Sequence, residues 1–235
     1  MTQDEFEKLA REVVESPPHP PEMLFEGGAG DWHARVRLAH FLAMPSNGRK
    51  EEAMGLLRSS LDAEVDEENA EDVEERVFAL QKLSELERDA EDWGEDALRH
   101  ISSAIELAES TDFLYKFILR GELWGDRWNT MHRLGMAREA EEEADERIEA
   151  YQDIPIDHNS YLYYGYRFKA MIAAEQGLAL VAKDYMHMAL HAMEIPEEYR
   201  EGLDRAFSAK HENAAWILNE IDRATPNPNQ LHWDI

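Results

Sequence analysis

Apolar residues recur every three or four positions along nearly the whole chain, the spacing of helices that each bury one face. Phe6, Leu9, Val13 and Val14 form the first such face and predict a helix over 4–15. Ser16-Pro17-Pro18-His19-Pro20-Pro21 ends it, because proline lacks an amide donor and restricts the residue before it. After Gly27-Gly28-Ala29-Gly30 the pattern predicts helices in pairs: 31–44 with 49–64, 69–90 with 94–109, 112–133 with 136–152, and 159–175 with 178–193. A last long helix is predicted from Pro196 to Asp222. It opens with proline at the first helical position and with Glu197 and Glu198 beside the positive end of the helix dipole. Thr111-Asp112 and Asp157 read as further helix starts. No strand–turn–strand signal is present, so the predicted fold is all-α, a single domain over 1–235. Within it, 1–30 form a helix and linker, 31–195 the hairpins, 196–222 a capping helix and 223–235 a tail.

The second helix of each pair repeats itself. Ala53, Ala97, Ala140 and Ala182 each follow a glycine (Gly48, Gly94, Gly135, Gly177) and precede larger apolar residues one and two turns on. Those alanines lie 44, 43 and 42 residues apart, a near-constant period filled by two helices, which is the signature of an α-solenoid. An alanine where two helices cross lets the backbones approach, and the glycine supplies a turn residue with positive φ.

The spacing of Gly, a small residue five later, a large one four later and then Ala-Leu resembles the tetratricopeptide repeat. Trp124, Trp128, Met131, Gly135 and Ala140 match its positions in the third pair, and Tyr166, Ala170, Ala173, Gly177, Ala182 and Ala189 in the fourth. The resemblance spans roughly residues 31–195. It implies about four hairpins in a right-handed superhelical array whose first helices line a concave, ligand-binding surface.

Composition narrows the function. The 235 residues carry 24 Lys and Arg against 51 Asp and Glu, a net charge of −27. Such a field repels phosphate backbones and anionic membranes and favours basic protein partners. Cysteine is absent, which excludes disulfides, thiol nucleophiles and thiolate metal sites. The acidic N-terminus has no apolar signal-peptide core and no apolar run reaches membrane-spanning length, so a cytoplasmic protein is expected.

Candidate chemistry is sparse. His187 and His191 stand one helical turn apart, but no HExxH or Glu-x-x-His pair accompanies them, so no metal site is expected. The Gly-x-Ser-x-Gly, phosphate-loop and dinucleotide glycine motifs are all missing, and neither catalysis nor a cofactor is expected. Two acidic runs stand out, 66–75 and 139–146; the second turns Ala140, Ala144 and Ile148 inward and reads as a solvated outer helix, the alternative being a docking strip for a basic partner. In Tyr161-Leu162-Tyr163-Tyr164-Gly165-Tyr166-Arg167-Phe168 the tyrosines are too many for one buried face, so at least one lines a surface.

Carried over from the resemblance, the concave positions are Arg35, Arg88, Asn129, His132, Tyr164 and Arg167. The groove they imply is basic or neutral inside an acidic shell and suits a peptide with acidic side chains or a C-terminal carboxylate. The function expected is a non-catalytic protein- or peptide-binding adaptor or regulator. The alternative is an acidic decoy or immunity-type protein that neutralises a basic partner through its outer face.

Overall fold

The computed structural model describes residues 1–88, 95–113, 115, 118–155 and 159–193. Gly94, the helix start at Asp157, the capping helix predicted over 196–222 and the tail lie outside the described residues. Among those described, every regular element is helical: α1 (Gln3–Val14), α2 (Trp32–Ala43), α3 (Lys50–Ser60), α4 (Ala70–Arg88), α5 (Asp96–Glu109), α6 (Arg120–Arg133), α7 (Ala137–Tyr151), α8 (Ser160–Glu175) and α9 (Ala179–Ala192), with short 3-10 turns at Glu22–Phe25 and Gly28–Gly30. No helix among the described residues is long and apolar enough to cross a membrane.

Local chemistry sets several of the starts. Thr2 and Glu5 form a reciprocal capping box on α1, the Asp31 carboxylate accepts from the His33 amide at α2, and the Asn159 side chain accepts from the Leu162 amide at α8.

The chain divides into two compact units, Met1–Tyr115 and Lys116–Ile235. In the first, α2 packs on α3 and α4 on α5, while α4 also packs on both α2 and α3. In the second, α6 packs on α7 and α8 on α9, while α8 also packs on both α6 and α7. Within each unit the first hairpin thus rests on the second through both of its helices, the neighbour-to-neighbour packing of an α-helical repeat. On its other side α2 is closed off by α1 and the 3-10 turns.

The periodic alanines occupy the crossings. Ala53, Ala97, Ala140 and Ala182 are all fully buried, as are Leu57, Ile101, Ala144 and Met186 one turn further on. Gly48, Gly135 and Gly177 have φ of 63°, 80° and 75°, the left-handed region that side chains avoid. Burying one leucine of this core contributes about 1.5–3 kcal/mol, and Leu38, Leu42, Leu57 and Leu83 are all fully buried in the first unit.

One helix starts later than expected. The predicted 112–133 element begins at Arg120, and the described residues between Ser110 and Arg120 have no helical hydrogen bonding. The Thr111 hydroxyl turns to the Tyr115 hydroxyl, 3.0 Å away, instead of capping a helix. The aromatic and β-branched residues that follow are poor helix formers, and Ile118 is buried.

Two charged groups, buried Glu87 and half-buried Arg76, tie hairpins together. Glu87, only 3% exposed, accepts from Arg58 of α3 at 2.9 Å and lies 2.7 Å from His100 Nδ1 of α5. Arg76 of α4 donates to the carbonyls of Ser60, Leu61 and Ala63, satisfying the C-terminal end of α3. Its pKa is lowered by burial, against the weaker pull of Asp62.

Candidate functional site

The six residues expected to line a groove fall in both units. Arg35 and Arg88 lie in the first; Asn129, His132, Tyr164 and Arg167 lie in the second. Arg35 is half-buried at the start of α2, and its Nη1 donates to the Ala29 carbonyl at 3.0 Å. Its guanidinium is therefore engaged in holding the glycine-rich turn. Arg88 ends α4 and is half-buried.

In the second unit α6 and α8 lie side by side. Their close contact depends on glycine: a methyl group on Gly125 would reach within 2.9 Å of the Tyr164 ring. Tyr164 is consequently buried at the α6–α8 contact, and its expected exposure is corrected. Burial is the main cause that pushes its phenol well above the ordinary value of 10. The carboxylates of Glu122 and Asp126 and the neighbouring Tyr163 act in the same direction, and Arg167 opposes them.

Glu122 and Asp126 of α6 and Arg167 of α8 all act on one buried hydroxyl, and Asn129 is half-buried one turn beyond Asp126. Further along the same helix pair, His132 Nε2 lies 3.0 Å from Glu175 Oε2, with the His132 ring edge-on to Phe168. The α6–α8 face therefore carries Glu122, Asp126 and Glu175 alongside Arg167 and His132. The basic or neutral residues expected there thus share α6 and α8 with the carboxylates Glu122, Asp126 and Glu175.

Of the four tyrosines on α8, Tyr163 and Tyr164 point into the core, while Tyr161 and Tyr166 are half-buried. Tyr161 stacks on Tyr151 with centroids 4.0 Å apart, and Tyr166 lies parallel to Tyr185 at 6.3 Å. Burial raises the Tyr166 pKa, with Tyr185 adding to it.

The acidic runs divide in two. Asp72 and Glu75 of the first face His33 at 3.4 and 2.8 Å, and Glu75 also takes two bonds of 3.2 Å from Arg37. Glu74 of the same run is buried. The second run keeps its outward face: Glu139, Glu142, Asp145 and Glu146 are exposed while Ala140, Ala144 and Ile148 are buried. One of its acids, Glu143, receives two bonds from Arg127 of α6, at 3.0 and 2.8 Å.

Arg147 escaped the sequence reading. Its guanidinium carbon lies 3.8 Å from the Trp124 ring centre, 5.9 Å from Tyr151 and 6.0 Å from Tyr161. The only linear signal is the four-residue step from Arg147 to Tyr151; the other two rings arrive from α6 and α8.

No group of three or more His, Asp and Glu among the described residues is placed to hold a metal, and His191 of the histidine pair is exposed. Against known protein families, curated proteins and solved structures, the chain has no significant match.

Proposed function

We propose that the chain is a non-catalytic, tetratricopeptide-like module that binds a protein or peptide segment through the face formed by α6 and α8. The observation that carries this reading is the glycine-mediated contact of α6 and α8, two helices that also bear the half-buried polar residues Glu122, Asp126, Asn129 and Arg167. A firm platform with polar groups at its rim lets a partner form hydrogen bonds without ordering loops first. The mixture of signs suits a segment that itself carries both charges, in place of the purely acidic peptide. Stacked hairpins that display side chains from successive helices are a common build for recognition surfaces, and this part of the argument is one of analogy.

The test is affinity capture from native lysate with wild type and Arg167→Glu, both checked for helicity. A protein retained by wild type and lost by the variant supports binding at this face. Identical retention by both moves the interaction elsewhere.

A second reading is favoured by the α7 outer face, where Glu139, Glu142, Asp145 and Glu146 stand exposed on a chain of net charge −27. An immunity-type or decoy protein that neutralises a basic partner would use that face. Capture insensitive to Arg167→Glu and abolished by about 0.5 M salt, where screening is shorter than about 10 Å, distinguishes it.

A further inference from the structure

Trp124 from α6, Tyr151 at the end of α7 and Tyr161 at the start of α8 surround one cation, the Arg147 guanidinium. A ring face attracts a cation within about 6 Å of its centre, most strongly for tryptophan and when water is partly excluded. The indole contact at 3.8 Å is the tightest of the three. The two tyrosines stack on each other with only 16° between their planes, which fixes that wall of the recess. All four residues are half-buried, so the recess reaches solvent. Beneath it the core is already filled by Trp128, Ile148 and Phe168.

We propose that this recess is a cation-recognition site, held by Arg147 in the isolated chain and taken by an arginine side chain of a basic protein partner on binding. The present occupant defines the ligand chemistry: its guanidinium carbon lies over the indole, and a planar guanidinium can stack on an aromatic face as a compact ammonium cannot. The chain's net charge of −27 draws basic partners towards it. Tryptophan, tyrosine and arginine are the residues that dominate binding energy in protein interfaces. The proposal rests on the reading of the chain as a partner-binding module, but not on the α6–α8 face; its test is read at different residues from those of Arg167→Glu.

The experiment titrates the purified chain and Arg147→Gln with a short acetylated arginine peptide and its lysine counterpart. The readout is side-chain NMR of Trp124 and Tyr161, in about 1 M salt, where the screening length is about 3 Å. Removing the internal competitor is expected to tighten arginine-peptide binding by about tenfold over wild type. The lysine peptide should bind more weakly, and adding Trp124→Leu to Arg147→Gln should abolish the gain. Equal binding of both peptides, or no saturable shift at Trp124 and Tyr161 in Arg147→Gln, overturns the proposal. Arg147→Lys guards against a folding defect: it keeps the charge while giving up the flat stack, and should also bind the arginine peptide more tightly than wild type. Unchanged affinity in a folded Arg147→Lys counts against the site.

Discussion

Gly121 and Ser160 meet backbone to backbone where α6 and α8 begin: a methyl group added to Gly121 would lie 2.2 Å from the Ser160 carbonyl carbon and oxygen. The Gly121 amide also donates to the Ser160 hydroxyl at 3.2 Å. In an exposed helix, replacing glycine by alanine stabilises by up to about 1 kcal/mol. Here the sign should reverse, with Gly121→Ala destabilising by about 1–3 kcal/mol through overpacking against rigid backbone. Urea unfolding decides it, and a stabilised variant would contradict the contact.

The buried alanines make a parallel claim about side-chain size. Ala140→Leu should cost about 1–3 kcal/mol, because the crossing has no room for three more carbons. Ala150→Leu, on the same helix but exposed, should change stability by less than about 0.5 kcal/mol. Equal effects at the two positions would show that the α7 crossing is not close-packed.

His40 predicts a pH dependence for the first unit. Its ring is largely buried and edge-on to Phe41 and Phe78, and its Nδ1 has no hydrogen-bond partner. Burial holds its pKa below the ordinary 6.5; Lys82 lowers it further and Glu85 partly offsets both. Because the unfolded chain takes the proton first, the contribution of His40 is fully present above pH 6.5 and is lost as pH falls towards the folded value. His40→Phe should remove that part of the acid sensitivity, seen as a flatter stability profile as pH falls below 6.5. An unchanged slope would assign the loss to other groups.

Glu87 sets up a sign test on a buried polar pair. His100→Ala leaves one Glu87 oxygen without its partner at 2.7 Å and should cost about 1–3 kcal/mol. Replacing both groups, as Glu87→Leu with His100→Leu, should recover much of that loss, since apolar pairs often substitute for buried charges without penalty. Thermal unfolding of the two variants gives the comparison, and a double variant worse than the single one would show that the polar pair is net stabilising.

Which of these features a linear reading catches depends on the range of the interaction. The crossings at Ala53, Ala97, Ala140 and Ala182 were legible because a helix repeats its buried face every few residues and the hairpin repeats the whole pattern. The start of α6 was not: Thr111-Asp112 has the local form of a cap, but Thr111 bonds to Tyr115 instead. Tyr164 could be placed on α8 but not on the correct side, since four tyrosines in six positions give no contrast between inner and outer faces. The glycines that draw it inwards, Gly121 and Gly125, belong to another helix. Arg35 looked like a groove cation because nothing near it in sequence advertises the Ala29 carbonyl as its partner. The enclosure of Arg147 needs three helices, so no window of sequence contains it.

The alanine crossings bear on how such a chain drifts over generations. Within a unit, a hairpin of some 43 residues spends few positions on its contact with its neighbour, chiefly a few that must stay small and a handful that must stay oily. The remaining positions answer to solubility and to whatever the surface touches, and can change without disturbing the stack. Two chains built this way can come to share almost no letters while keeping the same architecture, and their common ancestry would survive mainly as a rhythm of small residues.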